Sequence, residues 1–297
     1  MATLSSSLAG KQGSQVSPWT SWIPVAIGLA AICLPTFYHL SQTAWNTDEN
    51  GHGPIILAVF CWLMWQKRHV LIDATYVTET SPVLGWSGLI FGLLVFIIGS
   101  SQGIATLEVG AFLPILIGIL LLMRGWSAVR ALWFPLLFLC FMVPLPGVLV
   151  DAITGPLKQQ VSAVAENVLY LAGYPIARTG VMLSIGQYQL LVADACSGLH
   201  SMFSLTALGL LYIYIMDYRN WLHIGLLLAV ILPIAFLANV IRVMILVLIT
   251  YYFGDAAGQG FAHSATGMVL FVLALFMLFA FDSLLRFMLF RKKGAAA

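Results

Sequence analysis

The strongest constraint on this chain is a run of 33 residues, Trp221 to Phe253, in which Arg242 is the single Asp, Glu, Lys or Arg. A bilayer span needs roughly 20 apolar residues at about 1.5 Å each, so this run is long enough to cross and too long to fit straight. Further apolar runs fall at about 22–38, 54–66, 83–101, 105–123, 127–145, 197–216 and 265–290, making eight. With 61% hydrophobic and 8% charged residues the chain is far from the roughly 25% charge of soluble domains, and its mean hydropathy is +0.98. The expected fold is an all-α polytopic membrane protein of about eight transmembrane helices, with the lipid bilayer as its main partner. The seventh run must tilt, break near Pro233 or protrude.

Thirteen Lys+Arg against eleven Asp+Glu give a net charge of only +2, which points to no nucleic acid partner. Cys33, Cys61, Cys140 and Cys196 show no CxxC spacing, so neither a disulfide framework nor a metal site is expected, and no cofactor is called for. Residues 1–20, rich in Ser, Gly and Gln, read as a disordered tail. The first run, without a basic region and cleavage site before it, reads as a retained span rather than a signal peptide. Ten of the thirteen basic residues fall on one side of the eight runs, leaving Lys158, Arg178 and Arg242 for the other. The positive-inside rule then places both termini in the cytoplasm, with 291–297 as a basic cytoplasmic tail, and turns the loops at 39–53, 102–104, 146–196 and 254–264 outward.

The long outer insert, 146–195, changes period halfway. Val150, Ile153, Leu157, Val161, Val164, Val168 and Leu171 recur at steps of three and four, which describes an amphipathic helix lying on the outer bilayer surface. Beyond Gly173 and Pro175, alternation through Thr179, Val181, Leu183 and Ile185, then Tyr188, Leu190 and Val192, describes a β-hairpin around Gly186. That hairpin leads to Asp194-Ala195-Cys196-Ser197-Gly198.

Cys196 stands at or just before a helix N-terminus, where a thiolate is stabilised, although Asp194 opposes this; a buried small hydrophobe is the alternative. Arg242 costs about 2.5 to 3.5 kcal/mol inside an apolar run on insertion scales and therefore needs a function, a partner or a lipid phosphate to reach. Asn239 lies one turn earlier on its face. Of six histidines, His39, His52, His200 and His263 fall on the outer side. His263 stands at the start of the last span, and His200, one turn after Cys196, is a rival base. His52 either lines the site or caps the second span. A Cys nucleophile, a His base and a cationic oxyanion stabiliser, from three spans at similar depth, are the parts of thiol-based acyl transfer.

The string Ala195-Cys196-Ser197-Gly198-Leu199, then Asn239-Val240-Ile241-Arg242, then His263 before a final span, resembles the exosortase/archaeosortase family of multi-span transpeptidases. Trp45, Asp48 and Gly51-His52-Gly53 resemble it too, so the likeness runs from about 40 to 275. The chain departs from the family at Asn50-Gly51-His52-Gly53, where an aromatic-Ser-His-Gly string is usual, and at His200, where an Arg is usual. The resemblance implies a single integral membrane catalytic domain over 21–290, of B type, with Cys196, Arg242 and His263 catalytic. Asn239, His200, Ser197, Gly198, His52 and Asp48 would then support or bind substrate. It also implies substrates that are secreted proteins with a single-span C-terminal sorting tail carrying a Pro-Glu-Pro-like motif, cleaved on the periplasmic side of a bacterial inner membrane. Gly85, Gly88, Gly92, Gly103, Gly110 and Gly118 would let such a helix approach closely. Two other readings compete: a transporter or channel with Arg242 as anion site and a broken seventh span, and a lipid enzyme or assembly scaffold.

Overall fold

The computed structural model describes residues 22–47, 50–73, 80–191, 198–218, 220–254, 257 and 261–294; at 151, 153, 198–202, 261–268, 270–271 and 289–294 it describes the backbone alone. A helix falls in each of the eight apolar runs. In chain order they are α1 (Ile23–Gln42), α2 (Gly53–Gln66) with a short α3 (Arg68–Ile72), α4 (Pro82–Gln102), α5 (Ala105–Gly110), α6 (Phe112–Met123), α7 (Trp126–Ala131) and α8 (Trp133–Leu139). After the insert come α10 (Gly198–Ile215), α11 (Trp221–Phe253) and α12 (Phe261–Gly294). Among the described residues four helical stretches are long and apolar enough to cross a membrane: 23–46, 82–102, 105–123 and α11. The tail expected at 1–20 lies outside the described residues, and helix α12 runs on through 291–294 of the basic end.

Proline at the first turn starts α1, α2 and α4, where its missing N–H costs nothing and its fixed φ suits the helix. Helices α4 and α6 then pack backbone to backbone. A Cβ at Gly118 would stand 2.6 Å from the Leu89 nitrogen, and Gly85 and Gly92 meet Leu122 and Ile115 as closely. Those glycines are therefore occupied within the protein, not left open for a substrate helix as the sequence reading had it. Stacking of Phe134 on Tyr214, with centroids 3.9 Å apart, ties α8 to α10.

The insert differs from its sequence reading in two ways. Its helix, α9 (Gly147–Leu171), does form, but the apolar stripe is split. Val161, Ala165 and Leu169 are buried in a core of the protein, whereas Val164, Val168 and Leu171 are exposed. Small residues, Ala165 and the fully buried Ser162, let α9 sit close to its neighbours, a signal that hydrophobic periodicity overlooks. The hairpin is in fact a three-stranded antiparallel meander, β1 (Ile176–Thr179), β2 (Met182–Ile185) and β3 (Tyr188–Leu191). Gly180 and Gly186, both with positive φ, make its two turns. Alternation could not show β1 because three of its four residues are exposed.

Helix α11 is continuous for 33 residues with Pro233 inside it, so it does not break. Its excess length is housed instead by the insert: Val240, Val243 and Val247 pack into the core made by α9 and the sheet. The end of the bundle beside the insert and the opposite end, where Trp221 begins α11, are called the insert end and the far end below.

Candidate active site

Helix α11 has two buried faces. One carries Val240, Val243 and Val247 against the insert; the other carries Ile231, Ala235 and Ala238 against α10 and α12. Arg242 continues that second stripe one turn beyond Ala238, and Asn239 stands one turn beyond Ala235. Both are buried, Arg242 to 8% and Asn239 to 3% exposure. The charge predicted to want a function is thus enclosed rather than snorkelling to water. The Asn239 side-chain oxygen meets no hydrogen-bond donor, which in an enclosed place costs about 1 to 3 kcal/mol.

A single layer of packing fixes the relative depth of the three helices. A Cβ at Gly209 of α10 would stand 2.6 Å from Ile231 of α11 and 3.6 Å from Leu278 of α12. Helix α11 is antiparallel to both neighbours, and eleven residues toward the insert end from this layer lie Gly198, Arg242 and Gly267 respectively. At about 1.5 Å per residue all three backbones stand at one depth, about 16 Å from the layer. The His263 backbone is one turn farther out on α12, and that of His200 is half a turn deeper on α10. Cys196 and Ser197 directly precede Gly198 and lie outside the described residues, as does Asp48.

A second segment reaches α10 from the N-terminal side. The indole of Trp45, stacked on Phe37 at 5.8 Å, lies so close to Gly53 that a Cβ there would stand 2.2 Å from its Nε1. This contact seats the start of α2 and the half-buried His52 before it. His52 makes no side-chain cap to α2; its ring N–H donates to the Phe141 carbonyl. Burial pulls the His52 pKa below its ordinary value of 6.5 and that hydrogen bond partly opposes it. Phe141 in turn meets Phe203 of α10 edge-on at 5.9 Å. His52 therefore braces the turn beside α10.

The far end holds a cluster that the sequence reading passed over. Asp282 of α12, fully buried, accepts at Oδ2 from Tyr212 (2.6 Å) and Tyr218 (2.8 Å) and pairs there with Arg286 (2.6 Å). Its Oδ1 lies 2.7 Å from His223 Nε2. An acid inside an apolar run, with an Arg four residues on, was the available signal. Among the described residues no three His, Cys, Asp or Glu side chains gather as a metal site would need.

The transmembrane exosortase family model matches residues 45–280, a stretch that takes in Trp45, His52, Cys196, Asn239, Arg242 and His263. No curated protein and no solved structure matches the chain. A match over most of the length, on a multi-pass helical membrane protein, leads to one conclusion: this chain belongs to the transmembrane exosortase family, whose membership implies protease or transpeptidase activity in general.

Proposed function

We propose that this protein is a membrane-embedded cysteine transpeptidase that cuts single-span C-terminal sorting tails of secreted proteins through a thioester. The observation that carries this reading is Arg242, enclosed in the membrane-spanning bundle at the depth where α10 begins, two residues after Cys196. In this reading Cys196 gives its proton to His263 and attacks the scissile carbonyl. The tetrahedral oxyanion, or a carboxylate of the sorting motif, is held by Arg242, which stays protonated throughout. His263 then passes the proton to the leaving amide nitrogen, the C–N bond breaks, and the tail departs with a new N-terminus. The thioester passes to an acceptor nucleophile.

The topology belonging to this reading has eight spans in one domain over 21–290, cytoplasmic termini, and the insert on the periplasmic side of a bacterial inner membrane. The basic residues of the far end support that orientation. The unbroken α11 lacks the broken helix that a transporter reading calls for. The test is a secreted reporter with a sorting tail, coexpressed with the full chain. Cys196→Ala should abolish cleavage at normal membrane levels, and continued cleavage would end the reading. His263→Ala against His200→Ala assigns the base: full activity in His263→Ala would transfer that role to His200.

A further inference from the structure

We infer that Asn239 caps the transmembrane helix of the substrate: its side-chain oxygen accepts a backbone N–H from the first turn of the sorting tail's span. The inference rests on the transpeptidase reading and adds how that site receives its substrate.

Two unmet demands meet at one depth. The first is in the enzyme. Asn239 is 3% exposed, its oxygen has no donor, and it lies on α11 most of one turn from Arg242. A buried acceptor without a donor is costly and uncommon in native structures, so this one calls for an explanation. The second demand is in the substrate. Any helix begins with four backbone N–H groups that have no intrahelical partner, and inside a bilayer no water is there to take them. A tail cut just outside its span presents those groups immediately inward of the scissile bond.

The register brings the two together. Arg242 is level with Gly198, next to the Cys196 end of α10, so the scissile bond belongs at that depth. Asn239 lies three residues nearer the far end, about 4.5 Å deeper, or most of one helical turn. A chain crossing from the outer face, extended past Arg242 and helical below it, would present its first free N–H groups to Asn239. Gly198 and Gly267 stand level with Arg242 on the flanking helices. Asn, with Asp and Ser, is among the side chains best suited to this work, since its short carbonyl reaches the N–H groups of a helix start.

The test pairs enzyme variants with three reporter tails in membranes holding the full-length chain. One tail is unaltered. A second carries Asp immediately before its span, so that it caps itself. A third has Pro in the first turn, so that one of the free N–H groups is gone. Asn239→Ala should lower kcat/KM on the unaltered tail by roughly tenfold, the scale of a lost N-cap, and by at most about twofold on the self-capped tail. On the Pro tail the loss should shrink. Asn239→Asp, which keeps the acceptor, should retain most activity. An equal loss on all three tails would assign Asn239 a merely structural role and overturn the inference, as would no loss on the unaltered tail. Should Asn239→Ala fail to reach the membrane, Asn239→Leu, of nearly the same shape, carries the same comparison. Cleavage of the tails by Cys196→Ala, or no cleavage by the wild type, would instead overturn the transpeptidase reading itself.

Discussion

Two sets of buried polar atoms in this helix bundle are treated in opposite ways. At the far end the Asp282 carboxylate is surrounded by Tyr212, Tyr218, His223 and Arg286, with both oxygens engaged. Burial beside that carboxylate also pushes the Tyr218 phenol well above its ordinary pKa, so it stays a donor. At the insert end the Asn239 oxygen and the Thr250 hydroxyl are buried without a hydrogen bond. A complete network inside a low-dielectric bundle fixes α10, α11 and α12 against one another, whereas a buried polar atom without a partner is costly there. The Asp282 cluster is thus the place to test for stability, and the unmet oxygen near Arg242 is the place to test for chemistry.

Removing Arg242 should break the comparison most severely. Arg242→Ala is expected to reduce tail cleavage by about a hundredfold to a thousandfold, the scale of losing one oxyanion donor. Arg242→Lys separates charge from shape: a comparable loss would require the planar fork, and near-normal rates would reduce the residue to a point charge. Rates are to be read from uncleaved reporter at matched enzyme levels.

The far end should respond in stability instead. Asp282→Ala leaves His223, Arg286 and two tyrosines without their acceptor and is expected to cost about 3 kcal/mol, as when one member of a buried ion pair is removed. Thermal unfolding in detergent would report it. Cleavage per folded molecule should hold, and a large drop there would erase the division between a structural and a chemical end.

Much of this was legible in the sequence, and the failures have physical causes. Runs of about 20 apolar residues located a helix in every expected place, because bilayer thickness fixes that length. The helix of the insert followed from apolar residues at steps of three and four. The buried face of α9 did not, because Ser162 and Ala165 pack where Val164 and Val168 do not: close approach selects small residues, and hydrophobicity scores cannot see it. Strand β1 was hidden by its exposure. Asp282 escaped because its four partners are distributed over 75 residues and meet only when three helices are side by side. The orphan oxygen of Asn239 is an absence, and no sequence pattern encodes the lack of a neighbour.

Asn239→Leu sharpens the comparison at a smaller scale. An apolar side chain of similar shape removes the unmet acceptor, so stability should hold or rise by up to about 1 kcal/mol while cleavage of the unaltered tail falls. A fall in stability would mean that Asn239 is satisfied in the resting protein after all. Thermal unfolding and reporter cleavage on the same preparation give both readings.

The smallest effect concerns His52, which borders the insert end through Phe141. Its pKa in the folded protein is depressed below 6.5 by burial, against the weaker opposing pull of the Phe141 carbonyl. The unfolded chain therefore binds a proton at His52 at a higher pH than the folded chain does. The stabilisation is fully present above about 6.5, the unfolded value, and is lost as pH falls through the folded one. His52→Gln, which cannot titrate, should flatten that part of the stability profile without altering it above pH 7. Because His52 braces Phe141 and Phe141 meets Phe203 of α10, cleavage should weaken over the same acidic window. A wild-type profile that matches His52→Gln from pH 7 down to pH 5 would separate His52 from the site and leave the seating of Trp45 on Gly53 as the N-terminal segment's contribution.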